Sequence, residues 1–257
     1  MTNREQPSGG MFKNERQAYI LRQINLHNKV LSSSLSEELT VSEDTIRRDL
    51  AELADAGDII KVHGGALSKS YHYPVQQTKV YAQEEKKSIA KKTIELIKPG
   101  MTVLIEAGTT MLELVRMLPE KLEATFFTVS PLMALHLARY PLLKVILIGG
   151  QMDMSSQITL GEKPVYELSQ IKADLCIFGV NALNARTGLT EREWNVAQVK
   201  KAMIACCHKL AVITISEKLN SAFNMKICSP QQIDYLITEL KPSDKKLVAY
   251  KKNMTIL

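Results

Sequence analysis

Residues 41–66 read VSEDTIRRDLAELADAGDIIKVHGGA, and that stretch decides what the front of the chain is. Ser42 stands where a helix N-cap is needed, since its hydroxyl can accept from the free backbone N–H groups of a first turn. Glu43 and Asp44 follow, placing negative charge at the positive end of the helix dipole. Ile46, Leu50 and Leu53 recur at helical spacing and predict the buried face, while Asp44, Arg47 and Arg48 share another face. Gly57 falls just past the last helical residue, a position favoured for a left-handed C-terminal cap. Ile59, Ile60 and Val62 suit a short strand, and Gly64-Gly65 turns the chain. The order is a reading helix, a helix stop and a β-wing.

The residues in front complete a unit. Ile20, Leu21 and Ile24 form an apolar stripe for a first helix over Asn14–Asn25. Ser34-Leu35-Ser36-Glu37 fits a capping box, which predicts a second short helix from there to Leu39, with Thr40-Val41 as the turn. Two short helices joined by a tight turn match a helix-turn-helix, whose second helix enters the major groove of DNA. Arg47 and Arg48 can form bidentate bonds to guanine edges or bind phosphates. The expected DNA-binding set is Ser42, Asp44, Thr45, Arg47 and Arg48 on the helix, with Lys61 and His63 on the wing. A capped amphipathic helix with two arginines is, taken alone, most often a plain surface helix. Three helices, a wing and a double glycine in this order favour the DNA reading.

Ser42-Glu-Asp-Thr-Ile-Arg-Arg-Asp-Leu50, followed by His63-Gly-Gly-Ala66, resembles the N-terminal signature of the DeoR family of bacterial transcriptional regulators. The resemblance implies that Val30–Asp49 is the helix-turn-helix proper. Asp49 is expected to anchor the helix, because a carboxylate facing phosphates would repel them.

Composition sets bounds. The 257 residues suit one small and one ordinary domain. The expected divisions are a disordered tail over 1–11, the winged helix-turn-helix over 12–67, a linker over 68–87 and an α/β domain over 88–257. Net charge is +6, yet residues 1–66 hold eight Lys/Arg against ten Asp/Glu. Any attraction for DNA must therefore come from where Arg47, Arg48, Lys61 and His63 are placed, not from bulk charge. Lys69, Lys79, Lys86, Lys87, Lys91 and Lys92 in the connector read as a solvated helix face sooner than as phosphate contacts. Cys176, Cys206, Cys207 and Cys228 form no C-x-x-C pair and have no His cluster beside them, so buried free thiols are expected, with no metal and no cofactor. With no signal peptide and no apolar run of about 18 residues, a cytoplasmic protein without a membrane partner is expected.

From about Gln83 the pattern alternates between helix and strand. Strands are expected at Met101–Ile105, Phe126–Val129, Lys144–Ile148, Leu175–Val180, Leu210–Ile215 and Ile233–Thr238, with helices between them. That alternation predicts a mostly parallel, Rossmann-like sheet of the α/β class covered on both sides. Ligands of such sheets bind beyond the carboxyl ends of the strands. Glu106-Ala-Gly-Thr-Thr110, Thr128-Val129-Ser130 and Gly149-Gly150 sit there, and their backbone N–H groups and hydroxyls can hold an anion. Each loop alone is weak, because a Gly-Thr-Thr turn is often only a helix cap.

The order of Ala107-Gly-Thr-Thr110, Gly149-Gly150, Gly161, Gly188-Leu-Thr190, Lys200 and Ser216 through Lys218 resembles the C-terminal sensor domain of the same family. That domain is similar to sugar-phosphate isomerases. The resemblance implies an effector site for a phosphorylated sugar formed by Glu106, Gly108, Thr109, Thr110, Ser130, Gly149, Gly150, Gly161, Lys200 and Lys218. Four residues depart from the family pattern: Glu106, Val129, Asp153 and Ile215. They remove hydrogen-bonding groups or change charge, so either the ligand differs or the site has lost affinity. Trp194 could stack on a sugar face or pack in the core or an interface. The leading expectation is a repressor of a carbohydrate operon. It would bind double-stranded operator DNA as a homodimer or homotetramer and be released by a phosphorylated sugar. The rivals are an isomerase-like enzyme with Glu106 as its base, and a regulator whose second domain only oligomerises.

Overall fold

A computed structural model describes residues 11–69 and 80–257, which form two compact units, Met1–Tyr81 and Ala82–Leu257. The expected tail up to Gly10 and residues 70–79 of the linker, Lys79 included, lie outside the described residues.

The first unit runs α1 (Lys13–His27), β1 (Lys29–Leu31), α2 (Ser32–Leu39), α3 (Glu43–Asp55), β2 (Ile59–Val62) and β3 (Gly65–Ser68). Its core gathers Ile20 and Ile24 of α1, Leu35 of α2, Ile46, Leu50 and Leu53 of α3, and Ile59 of β2. The start of α3 is the expected one: Ser42 is the N-cap, and its Oγ accepts from the Thr45 N–H at 3.2 Å. Its end is a Schellman turn, with Gly57 at φ +80°. There the Asp58 N–H donates to Leu53 O and the Gly57 N–H to Ala54 O, each at 2.9 Å. Replacing Ser42 by Ala is expected to destabilise this unit by about 1 kcal/mol, the usual worth of an N-cap, read as a lower denaturation midpoint with an unchanged slope.

Two expectations need correcting. Helix α2 begins at Ser32, not at a Ser34–Glu37 capping box, and no side chain caps it. The chain runs straight from β1 into the helix, and the Ser32 N–H donates to the Gly64 carbonyl at 2.8 Å, so wing backbone takes the place of a cap. The two glycines also divide their work. Gly64, at φ +74°, makes the turn with His63. Gly65 opens β3, where a Cβ would meet the Val30 carbonyl oxygen at 2.0 Å. That close approach exists because β3 lies between β1 and β2, and β1 is a strand that local pattern does not reveal.

The second unit starts with α4 (Gln83–Ile94), β4 (Thr102–Ile105), α5 (Thr109–Arg116), β5 (Ala124–Thr128), α6 (Pro131–Leu137) and β6 (Leu143–Leu147). A hairpin of β7 (Gln151–Asp153) and β8 (Ile158–Leu160) follows, then α7 (Glu162–Ser169) and β9 (Ala173–Gly179). The remainder is β10 (Leu183–Asn184), β11 (Gly188–Glu191), α8 (Trp194–Ala205), β12 (Cys207–Ile213), β13 (Met225–Cys228), β14 (Tyr235–Ile237) and β15 (Thr255–Ile256). Seven strands form one parallel sheet in the order β15-β14-β12-β9-β4-β5-β6. Val103, Leu104 and Ile105, Cys176, Ile177 and Phe178, and Ala211, Val212 and Ile213 are fully buried runs, as central parallel strands require. The hairpin, the small β10-β11-β13 sheet and β15 have no counterpart among the expected strands.

The topology fixes where a ligand belongs. The chain enters at β4, steps outward through β5 and β6, then returns to lay β9 on the other side of β4. The order therefore reverses between β4 and β9, and the crevice at their carboxyl ends is the switch point of the sheet.

Candidate functional site

Two sets of side chains stand out, one in each unit. In the first, Ser36 locks the turn between α2 and α3: its Oγ donates to Val41 O at 2.6 Å and its carbonyl accepts from the Val41 N–H at 3.2 Å. Thr40 takes the left-handed conformation, at φ +55°. Helix α3 is tied down from below. Asp49 is 2% exposed and takes the Arg16 guanidinium of α1 at 2.6 Å and 3.2 Å, with Gln17 Nε2 at 3.3 Å. The hydrogen bond to Asp49 holds the Arg16 pKa above its ordinary value. Asp49 is thus an anchor, as expected. Nothing in the sequence marks Arg16 as its partner, because the two are 33 residues apart.

Arg47 and Arg48 lie on the open side of α3, and Ser42 is exposed at its N-terminus. Ser42, Arg47 and Arg48 are exposed and Thr45 is half-buried, while Lys61 and His63 are exposed on β2 and the wing turn. Ser42 Oγ and Thr45 Oγ1 lie 2.9 Å apart. The two arginines are held by their own helix, Arg47 by Glu43 at 3.1 Å and Arg48 by Asp44 at 2.6 Å.

In the second unit, Glu106 leaves β4 at the switch point, and Gly108 caps α5 at φ +136° with open space where a Cβ would be. Thr109 and Thr110 are half-buried in the first turn of α5. Gly161 caps α7 in the same manner, at φ +109°. Gly149 and Gly150 end β6, and Lys163 Nζ comes within 3.5 Å of the Cβ position at Gly149. Ser130 is fully buried; its Oγ accepts from the Met133 N–H at 3.5 Å and caps α6.

Lys200 meets Glu106 in a charged cluster that extends to Lys218 and also takes in residues not foreseen from sequence. Lys200 Nζ lies 2.8 Å from Glu191 Oε2 and 3.5 Å from Glu106 Oε1, and all three residues are buried. Lys218 Nζ donates to Asn181 Oδ1 at 3.3 Å. Burial pushes the Glu106 carboxyl up to about 7, against the pull of Lys200. Burial pushes Glu191 the same way, but Lys200 and the Arg192 backbone N–H outweigh it and its pKa is lowered. Lys218 is pushed down to about 7, by burial first and then by the cations Lys86 and Lys200. Lys86 is buried on α4 and is lowered to about 8, by burial against the opposing pull of Glu113 and Glu85. The connector lysines are therefore not one solvated face: Lys86 belongs to this cluster, and Lys92 Nζ donates to Thr238 O and Leu240 O, each at 2.8 Å.

The four departures separate cleanly. Val129 and Ile215 are core residues, 0% and 4% exposed, so they alter packing. Asp153 accepts from Ser156 N at 2.7 Å and Ser156 Oγ at 2.6 Å and fastens the β7–β8 turn. Only Glu106 reaches the charged cluster. Trp194 is 60% exposed at the start of α8, with the Lys201 ammonium 5.6 Å from its ring centroid, so it is not a core residue. Cys176, Cys206 and Cys228 are buried free thiols and Cys207 is half-buried. Among the described residues no helix is long and apolar enough to cross a membrane.

Comparison with known proteins adds independent findings. A model of the DeoR-like helix-turn-helix domain matches residues 16–71, and one of the DeoR C terminal sensor domain matches residues 81–240. The HTH-type transcriptional regulator GolR of Listeria innocua is 31% identical over 90% of this chain and 92% of its own length. The glycerol-3-phosphate regulon repressor of Escherichia coli is 28% identical over 90% and 93%. A ribose 5-phosphate isomerase from Neisseria gonorrhoeae superposes over 54% of either chain at 18% identity, with a TM-score of 0.41.

Proposed function

The chain belongs to the DeoR family of transcriptional regulators, and on that premise we propose that it is a repressor of carbohydrate-metabolism genes which reads its operator through α3 and the wing. The observation that carries the reading is the asymmetry of α3. One face is fastened to α1 through Asp49 and Arg16, and the other presents Arg47 and Arg48 to solvent, with Ser42 exposed at the N-cap. Membership in a regulator family displaces the isomerase reading, and Glu106, ion-paired with Lys200, serves in the effector site instead of acting as a base.

The test begins with selection of duplexes from a random pool by the purified chain. On a recovered site, replacing by Ala an arginine that reads a base is expected to cost about 1–3 kcal/mol and relax the preference there; replacing one that touches only phosphate weakens all sequences alike. Unchanged affinity in both Arg47→Ala and Arg48→Ala would remove α3 from the interface.

The effector is a small phosphorylated sugar or related anion, held at the switch point by the Gly108-Thr109-Thr110 turn and by Lys200 and Lys218, with Glu106, Gly149, Gly150 and Gly161 around it. The ammonium groups of Lys200 and Lys218, with Lys86 behind them, support an anion over a neutral sugar. Release from DNA needs the effector to prefer one state by a coupling of about 1–3 kcal/mol. Assembly as a homodimer or homotetramer accords with paired half-sites. A thermal-shift screen of phosphorylated sugars, each beside its unphosphorylated parent, tests the site directly. A shift with parent and phosphate alike would contradict the anion reading.

A further inference from the structure

The two arginines of the reading face are not bare. Glu43 takes Arg47 at 3.1 Å and Asp44 takes Arg48 at 2.6 Å, each pair one helical turn apart and each partner solvent-exposed. Other cations of this unit are also engaged: Lys13 with Glu52 at 2.6 Å, Arg16 with Asp49, and Lys69 with the Gly57 carbonyl at 2.8 Å. Ten Asp/Glu stand against eight Lys/Arg through residue 66, so that stretch has no excess of positive charge with which to hold DNA indiscriminately.

We propose that Glu43 and Asp44 are specificity-determining residues: they occupy Arg47 and Arg48 when the protein meets unselected DNA and surrender them only to guanine edges. The inference rests on the reading of α3 as the recognition helix. Phosphate and carboxylate compete for the same guanidinium, and a carboxylate one helical turn away repels the phosphate it would have to face. An arginine that moves to a phosphate therefore does so against its own helix. In the floor of the major groove the balance is different. Guanine O6 and N7 accept both guanidinium donors, and the freed carboxylate can accept from the N4 amino group of cytosine. Each arginine–carboxylate pair is then satisfied as a unit by G·C pairs, whereas a phosphate satisfies only half of it.

The consequence appears in binding to DNA of no particular sequence. Each additional phosphate neutralised steepens the dependence of log K on log salt by about 0.9, and at 0.1 M salt that corresponds to roughly eightfold in affinity. The experiment uses the full chain with Glu43→Gln and Asp44→Asn combined, which keeps shape and removes charge. Arg47→Ala and Arg48→Ala combined are the reference. Fluorescence anisotropy on a labelled mixed-sequence duplex over a salt series is read beside selection from a random pool. A circular-dichroism melt checks that α3 remains folded.

We expect the carboxylate variant to bind the mixed duplex roughly tenfold or more tightly at 0.1 M salt, with a slope steeper by up to about 2. Its selected sequences should lose G·C preference at the positions the arginines read. If the mixed duplex is bound no more tightly and with the same slope, while the arginine variant loses the selected site, the proposal fails and the recognition helix stands. If the arginine variant also leaves the selected site bound as before, the recognition helix fails and the proposal falls with it.

Discussion

Asp49→Ala is expected to unfold the DNA-reading unit under conditions where the wild-type chain is folded. The carboxylate is 3% exposed at its side chain and receives two guanidinium nitrogens of Arg16, itself only 13% exposed. Truncation leaves a half-buried cation that has lost its partner, and it removes an acceptor of the Gln17 amide as well. Breaking a buried pair from one side costs about 3–5 kcal/mol, because the remaining charge keeps its desolvation penalty. For a unit of this size that is most of the available stability. Guanidinium denaturation followed by circular dichroism should show an early transition split from that of the second unit. DNA binding should vanish with it, although Asp49 faces α1. Arg16→Met combined with Asp49→Leu removes both charges and should recover much of the loss. If Asp49→Ala alone melts with wild type, the pair is ornamental and α3 is held by its apolar face.

That pair illustrates what was legible in the sequence and what was not. The bounds of α3 are written locally, in the hydroxyl of Ser42 and the missing side chain of Gly57, so both ends could be read without a partner in view. The acidic character of Asp49 said that it should avoid phosphate, but its partner is a contact between helices that no periodicity encodes. The wing was half legible. Three apolar residues and a glycine pair announced a strand and a turn, while β1, three residues long, becomes a strand only because β3 lies beside it. The capping-box motif at Ser34 was present in the sequence and unused in the fold, because the Gly64 carbonyl already accepts from the Ser32 N–H.

The second unit repeats the lesson at the level of chemistry. Glu106 and the glycines after it could be placed at a strand end, since a strand end is a local property. Asn181 and Lys86 could not, because they reach Lys218 only once distant parts of the chain are folded together, and Glu191 pairs with Lys200 only because β11 folds against α8. At Ser130 the local pattern is ambiguous, since a hydroxyl at the start of a helix reads alike whether it caps the helix or faces a ligand; here it caps α6. Val129 and Ile215 looked like lost ligand contacts for the same reason, and they are core residues.

Within the cluster, Lys200 and Lys218 should respond to the same substitution with opposite signs. Lys200→Met strands two buried carboxylates, Glu191 at 2.8 Å and Glu106 at 3.5 Å, and is expected to destabilise the second unit by about 3–5 kcal/mol. At roughly 2–4 °C per kcal/mol for a unit of this length, its melting temperature should fall on the order of 10 °C. Lys218→Met removes a cation that the fold holds down to about 7, so the ligand-free protein should become more stable. The sign follows from proton counting. Between about 7 and 10.5 the unfolded chain binds a proton that native Lys218 has given up, so this residue makes wild-type stability rise with pH across that window. Below it the native state carries the full cost of holding that charge beside Lys86 and Lys200, and there the stabilisation by Lys218→Met should be largest. Glu106, raised from 4.5 to about 7, acts in the opposite sense, and its contribution is lost as pH climbs between those values. A phosphorylated ligand reverses the preference at Lys218, because an anion favours the ammonium form and its binding takes up a proton. Ligand affinity should therefore fall as pH rises from 7 to 9, a range in which the phosphate itself stays a dianion. In wild type a ligand at about 100 times its dissociation constant adds ~2.7 kcal/mol, and both variants should forfeit that shift. The discriminating result is a Lys218→Met protein that melts higher than wild type without ligand and lower than wild type with it. If Lys218→Met kept the full shift and its pH dependence, the anion would have to be held elsewhere on the sheet.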